Sequence, residues 1–286
     1  MGKLLAEKSA EAKQLFLVAS DILGFDLLKI CVDGPVEQLN RTEFCQPALF
    51  VHSYAAFQHV CQERDGLIDS VAAVAGLSLG EYTAVAAAGG ISFEEGVRLV
   101  QIRGQAMQQA ADMVASGMSS VLGLDSAKLQ AICESVSSEA EFVRVANLLC
   151  PGNVAISGHL GAIALAEKAS LEAGAMKAVR LAVAGAFHTS IMQPAVHRLS
   201  EALSQVDMKT TKIPVFSNVD AAPHNKPEEI RALLAQQVVT PVLWESTLRN
   251  LLAAGIDQFI ELGAGRVLAG TLKRVDRKVS CESIGD

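Results

Sequence analysis

The sequence predicts an α/β protein in which a compact unit interrupts a larger body. Strand and helix signals alternate along the chain, which favours this class. Residues 71–75 (VAAVA) form a short apolar run that ends in a glycine turn, the pattern of a buried parallel strand. Between 117 and 183 the pattern reads strand 117–123, helix 126–136, strand 142–147, strand 152–157, helix 159–173, strand 176–183. That βαββαβ order is the ferredoxin-like split motif. The expected domains are therefore a large one, 1–112 with 186–286, and a small inserted one, 113–185.

In chain order, the Ala-rich stretch from Leu79 to about Ala88 is helix-capable, and 93–111 form a second helix. After the small domain, strands are expected at 212–216 (KIPVF) and 257–261 (DQFIE). Helices are expected near 190–205, 227–237, 244–254 and 265–274. The chain has 286 residues, half of them apolar and 19% charged, enough to bury a core and too apolar for disorder. With 31 acidic against 24 basic residues the net charge is −7, which argues against a general nucleic-acid binder. The six cysteines form no C-x-x-C pair and read as reduced thiols, with no zinc site or other metal centre expected. The longest apolar stretch, from Val71, is broken by Glu81, so no membrane span is expected. Met1 to Lys8 show neither a signal-peptide core nor a transit pattern.

Residues 76–80 read Gly-Leu-Ser-Leu-Gly between the first strand and the next helix. A G-x-S-x-G in that context is a nucleophile elbow: the small glycines let the chain turn sharply and present Ser78 Oγ at the strand's end. The Leu79 N–H, at the start of the helix, is placed to stabilise an oxyanion. This gives the large domain an α/β-hydrolase-like character built on a parallel sheet. The bland alternative is a turn in which Ser78 only caps the helix.

Of six histidines, His188 stands out, because it lies where a strand gives way to a helix that Thr189 or Ser190 can cap. A helix N-terminus disfavours imidazolium and keeps a base neutral near pH 7. On the 93–111 helix, Arg98 falls on the solvated face, whereas Arg103 shares the apolar face with Leu99, Val100 and Met107. A buried guanidinium needs a partner. Two are open: a structural carboxylate such as Glu81, or a carboxylate on a ligand held by the planar fork.

Several stretches together resemble the malonyl-CoA:acyl carrier protein transacylase family of type II fatty-acid synthesis. They are Gly76–Tyr82 (GLSLGEY), Arg103 in IRGQAM, Ala146–Gly158 (ANLLCPGNVAISG), Gly185–Ser190 (GAFHTS), Ser217–Asp220 (SNVD), Gln237–Trp244 (QVVTPVLW) and Glu261–Gly265 (ELGAG). The resemblance implies that Ser78 carries the malonyl group as an ester, with His188 as its base and the Gln237 backbone carbonyl orienting the imidazole. It implies that Arg103 clamps the malonate carboxylate, that Met107 and Phe187 line the acyl pocket, and that Asn147 borders it. The implied partners are malonyl-CoA and an acyl carrier protein, with no metal or redox cofactor, no nucleic acid and no membrane, and the enzyme is expected to be a soluble monomer. The wording of GAFHTS and CPGNVAISG resembles plastid-type members, so the expected compartment is plastid stroma (or apicoplast) or bacterial cytoplasm.

The family pattern also places a strand ending in Gly-Gln-Gly shortly before a stretch like Met1-Gly2-Lys3. Its glutamine is expected to give a second oxyanion N–H, and the strand to lie inside the sheet. Leu77 stands where many bacterial members have a histidine. Without that loop, a rival reading is a catalytically disabled carrier-protein or coenzyme A binding module. A second rival, an α/β-hydrolase-type esterase, expects a late histidine after the last strand, which His188 is not, and gives Arg103 no role. Two basic clusters are candidates for meeting an acidic carrier: Lys273, Arg274, Arg277 and Lys278, or Lys177 and Arg180.

Overall fold

The computed structural model describes residues 1–285. Its nine strands are β1 (Val74–Ala75), β2 (Ser116–Leu122), β3 (Val143–Cys150), β4 (Asn153–His159), β5 (Lys177–Arg180), β6 (Val215–Phe216), β7 (Pro223–His224), β8 (Gln258–Leu262) and β9 (Ser280–Ile284). β1 pairs in parallel with β6, and β6 antiparallel with β7. β8 and β9 form a separate parallel pair. The parallel sheet expected of the larger body is thus present in two pieces.

Around it pack helices that bury one main apolar cluster, among them Ala10–Leu23, Thr42–Glu63, Phe93–Asp112 and Gln193–Gln205. The helix Phe93–Asp112 starts as a capping box, with Ser92 and Glu95 satisfying each other's backbone N–H groups. Its apolar face lies on Thr42–Glu63 and Gln193–Gln205. The helices between Lys3 and Ser70 have no counterpart in the sequence reading. The longest of them, Thr42–Glu63, contains Pro47 and is buried on several faces, so no amphipathic stripe announces it.

The four remaining strands form one antiparallel sheet in the order β3-β4-β2-β5, with its own apolar cluster between sheet and helices. Helices Ser126–Val136 and Leu160–Glu172 complete the βαββαβ order read from the sequence. The sheet is tied to the larger body through its edge strand. Val242 N–H donates to Ala146 O (2.8 Å) and Leu148 N–H to Val242 O (2.9 Å).

The other differences from the sequence reading are local. The first and sixth strands are only two residues long, where 71–75 and 212–216 were expected, because each ladder extends no further than Val74–Val215 and Ala75–Phe216. The helix expected over 190–205 begins as a 3₁₀ turn, Ser190–Met192, which the Thr189 side chain caps by accepting from Ile191 N–H. Among the described residues no helix is long and apolar enough to cross a membrane. Among the described residues no disulfide joins any of the six cysteines.

Candidate active site

Ser78 sits between β1 and the helix Gly80–Ala87, with φ of 50°. A left-handed serine costs about 1–3 kcal/mol and persists only where its surroundings enforce it. Two contacts do so. A Cβ on Gly76 would lie 2.0 Å from the Gly80 carbonyl carbon, so the strand and the helix start touch through bare backbone. Asn218, after β6, accepts from Ser78 N–H at 2.6 Å and donates to Gly76 O at 2.8 Å. Gly80 itself has open space where a Cβ would be. Of the two flanking glycines, only the first is sterically required. The N–H groups of Gly80, Glu81 and Tyr82 are taken by the carbonyls of Leu77, Ser78 and Leu79. Among the described residues nothing accepts from the Leu79 N–H, which leaves it for a ligand oxygen.

His188 is buried and also left-handed, with φ of 62°. Its Nε2 lies 2.9 Å from Ser78 Oγ and its Nδ1 2.8 Å from Gln237 O. A carbonyl can only accept, so Nδ1 carries the proton and Nε2 is free to take one from the serine. Gln237 ends the helix Pro227–Gln237, where the last carbonyls have no intrahelical partner. That helix end is also the negative pole of its dipole, which favours the imidazolium formed in passing. Burial, followed by the Arg103 charge, pushes the His188 pKa down to about 4. The ring is therefore neutral at pH 7 because it is buried beside a cation.

Arg103 is 1% exposed and Arg98 is exposed, as the helical wheel requires. The Arg103 fork donates from Nη1 to Gln46 Oε1 (2.7 Å) and from Nη2 to Ser78 Oγ and Gln237 Oε1 (3.0 Å each). Among the described residues its Nε has no hydrogen-bond partner, and its guanidinium lies over the Tyr82 ring at 5.4 Å. These partners are neutral oxygens. Glu81 is instead one residue removed, accepting from Gln237 Nε2 at 2.6 Å. Burial raises its pKa to about 7.

The other expected residues are near but less directly placed. Met107 is buried, with Sδ 3.4 Å from Gln46 Nε2. Phe187 packs on Met118, Ala146 and Ala155, and its carbonyl accepts from Ser157 Oγ at 2.7 Å. Asn147 pairs with Val242 where β3 is irregular. A cleft of about 270 Å³ opens beside His188, walled also by Phe142, Arg144, Ser190 and Pro241. Sequence reasoning missed Gln46 and assigned Asn218 no role, although SNVD had marked its segment. In the basic clusters, Arg274 is held by Pro151 O and Arg180 pairs with Glu167, whereas Lys177, Lys273, Arg277 and Lys278 are exposed. Among the described residues no group of His, Cys, Asp and Glu could hold a metal ion.

Comparison with known proteins follows the same lines. The acyl transferase domain family matches residues 1–285. The malonyl CoA-acyl carrier protein transacylase of Bacillus subtilis is 37% identical over 286 residues, covering 100% of this chain and 89% of that protein. The acyl-carrier-protein S-malonyltransferase of Bartonella henselae superposes with a TM-score of 0.95 at 36% identity, covering 100% of this chain and 91% of the other. A malonyl-transacylase solved in complex with a type II polyketide acyl carrier protein gives 0.93 at 36% identity, over 99% and 90%. A match of this extent, over a fold that carries the serine elbow, is one of descent: the chain belongs to the acyl transferase family, among the malonyl-CoA:acyl carrier protein transacylases, and is an acyltransferase.

Proposed function

We propose that the chain transfers the malonyl group of malonyl-CoA to the phosphopantetheine thiol of an acyl carrier protein, through a malonyl ester on Ser78. One observation carries this reading. A single hydroxyl oxygen is reached by a neutral imidazole at 2.9 Å and by a buried guanidinium at 3.0 Å. The first makes a nucleophile, and the second selects an acyl group that itself bears a carboxylate.

In the reaction Ser78 Oγ adds to the thioester carbonyl while His188 Nε2 takes its proton. The new oxyanion lies against the Leu79 N–H. The tetrahedral adduct collapses, the C–S bond breaks, and coenzyme A leaves with the proton from His188. The carrier's thiol then gives its proton to His188 and attacks the ester. Ser78 leaves with that proton, and the acyl thioester departs. Double displacement of this kind gives ping-pong kinetics. Through both halves the Gln237 carbonyl holds the imidazole, and Arg103 turns from Ser78 to the malonyl carboxylate. Met107 and Phe187 line the acyl pocket and Asn147 borders it. No step as written draws on a metal or a redox group. The sequence wording of GAFHTS favours plastid stroma, or otherwise bacterial cytoplasm, as the setting.

Intact-protein mass spectrometry after brief exposure to malonyl-CoA tests the reading. The expected result is one malonyl adduct on the wild-type chain, absent from Ser78→Ala and discharged by carrier protein. A folded chain that binds carrier protein yet never gains the adduct would instead be a binding module.

A further inference from the structure

Glu81 is a buried carboxylate, 2% exposed, that no step above uses. It touches both halves of the site through one neutral side chain and one backbone N–H. Its Oε2 accepts from Gln237 Nε2 at 2.6 Å and from Asn218 N–H at 3.1 Å. The Gln237 amide is two-sided. Its NH₂ donates to Glu81 and to Ser78 O (2.9 Å), so its oxygen must face the other way, where it accepts from Arg103 Nη2 at 3.0 Å. Asn218 holds the Ser78 N–H with its own side-chain oxygen. A carboxylate accepts and never donates while ionised, and so it fixes which end of the amide faces it.

We propose that Glu81 is a positioning residue for the transfer: by fixing the orientation of the Gln237 amide it holds the Arg103 fork where the malonyl carboxylate must meet it. This rests on the malonyl-transfer reading and adds a residue to it. If the amide turned over, its NH₂ would face the Arg103 NH₂, and two donors cannot share a 3.0 Å contact. Arg103 would then swing from its place. Asn218, on the second arm, ties the same carboxylate to the serine turn.

The test is Glu81→Gln, read above pH 8, where the carboxyl with its pKa of about 7 is ionised, as acylation of Ser78 by malonyl-CoA and by acetyl-CoA. The new side chain keeps the volume but can turn a donor toward Gln237. Removing a buried negative charge near Arg103 would by itself tighten the hold on an anionic acyl group. Only the loss of orientation loosens it, so the two effects have opposite signs. The expected result is a KM for malonyl-CoA raised by about tenfold to a hundredfold, the range for losing one hydrogen bond to a charged group. The malonyl kcat changes less, and acetyl transfer, which makes no demand on Arg103, stays within about twofold. Equal losses with both donors, or a malonyl KM that is unchanged or lower, would overturn the proposal. Gln237→Ala keeps the backbone carbonyl and serves if Glu81→Gln does not fold. It should raise the malonyl KM likewise, and an unchanged KM would overturn the proposal too. In the double variant the losses should not add, because both act through one amide, and additive losses count against it. If the wild-type chain takes no malonyl group at all, the transfer reading fails and this inference with it. If it does and the variants keep its KM, only the inference fails.

Discussion

The antiparallel sheet β3-β4-β2-β5 and the serine turn are held by opposite means. In the sheet, β2 and β4 pair over seven consecutive residues, from Ser116 with His159 to Leu122 with Asn153, each pair supporting the next. At the serine turn, Ser78 is fixed by residues 25, 110, 140 and 159 positions away: Arg103, His188, Asn218 and Gln237. The sheet's strands hold no left-handed residue and have their own apolar cluster. The turn has two left-handed residues, a two-residue strand and three polar side chains, two of them buried, on one guanidinium. Local repetition builds the first, and a set of long-range hydrogen bonds enforces strain in the second. The two regions should therefore respond differently to substitution.

The largest effect is expected at the reacting groups. Ser78→Ala or His188→Ala should lower acylation by about 10⁴-fold or more, since nucleophile and base act as one unit. Rapid-quench measurement of the ester checks this. A His188→Ala chain acylated within tenfold of wild type would show that the proton leaves by another route. Arg103→Ala comes next: it should reduce malonyl transfer by about a hundredfold while sparing acetyl transfer, the effect of losing a charge-assisted pair in a buried site. Competition between the two thioesters reads it directly. A variant with full malonyl selectivity would remove the clamp from the account.

The same contrast explains what the sequence made legible. The βαββαβ order could be read because each element shows its own period and each pairing partner follows within a short stretch. The strand limits 142–147 and 152–157 fell short of Val143–Cys150 and Asn153–His159 because a hairpin's ends carry no polar boundary here. Ser78, His188, Arg103 and Gln237 were named from the elbow, the apolar face of a helix and a family resemblance, and the structure links all four in one hydrogen-bond network. Gln46 was illegible, because a glutamine in a helix with a proline and no apolar stripe has no local mark. β9 was missed for a related reason: Ser280–Ile284 is short and polar, and it is a strand only because β8 lies beside it. Glu81 was weighed as a partner for Arg103. It touches Gln237 instead, which depends on where one amide turns, and no sequence pattern encodes that.

The turn's strain gives a steric prediction with an internal control. Gly76→Ala would bring a methyl to 2.0 Å from the Gly80 carbonyl carbon, which cannot move without unseating Ser78. The expected cost is about 3 kcal/mol or more, with acylation falling alongside. Gly80→Ala meets nothing within 4 Å and lies at a helix start, so it should be neutral or stabilising by about 0.5–1 kcal/mol. Thermal melts of both variants measure this. Equal losses would mean that the turn tolerates no side chain at either glycine for a reason other than contact.

Protonation offers a gentler probe of the same region. His188 binds its proton near pH 4 when folded and near 6.5 when unfolded, so between those values the unfolded chain holds more protons and stability falls as pH is lowered. Glu81 acts in the opposite sense. Its pKa is about 7 when folded against 4.5 for an unperturbed carboxyl, so stability falls as pH rises through that window. Relative to wild type, His188→Ala should gain stability as pH drops from 6.5 to 4, and Glu81→Gln should gain it as pH rises from 4.5 to 7. Denaturant midpoints across pH read both slopes, and parallel curves for all three chains would mean that neither group titrates as its burial dictates.

The smallest effects lie where the two regions meet, at neighbouring positions of β4. Ile156 faces the sheet's own cluster, fully buried with Val121, Leu129 and Ile163. Ile156→Val removes one methylene and should cost about 0.5–1.5 kcal/mol with acylation unchanged. Ser157, on the other face, donates to the Phe187 carbonyl at 2.7 Å, one residue before His188. Ser157→Ala should cost a similar amount, about 1–2 kcal/mol for an acceptor left without its partner, but here acylation should also slow by a few fold as the base loosens. Melting curves cannot separate the two variants, whereas kcat can. If Ser157→Ala kept the wild-type rate, the sheet would be a support for the site in position only. If Ile156→Val slowed the reaction, packing inside the sheet would reach the left-handed histidine through a residue that touches neither it nor the serine.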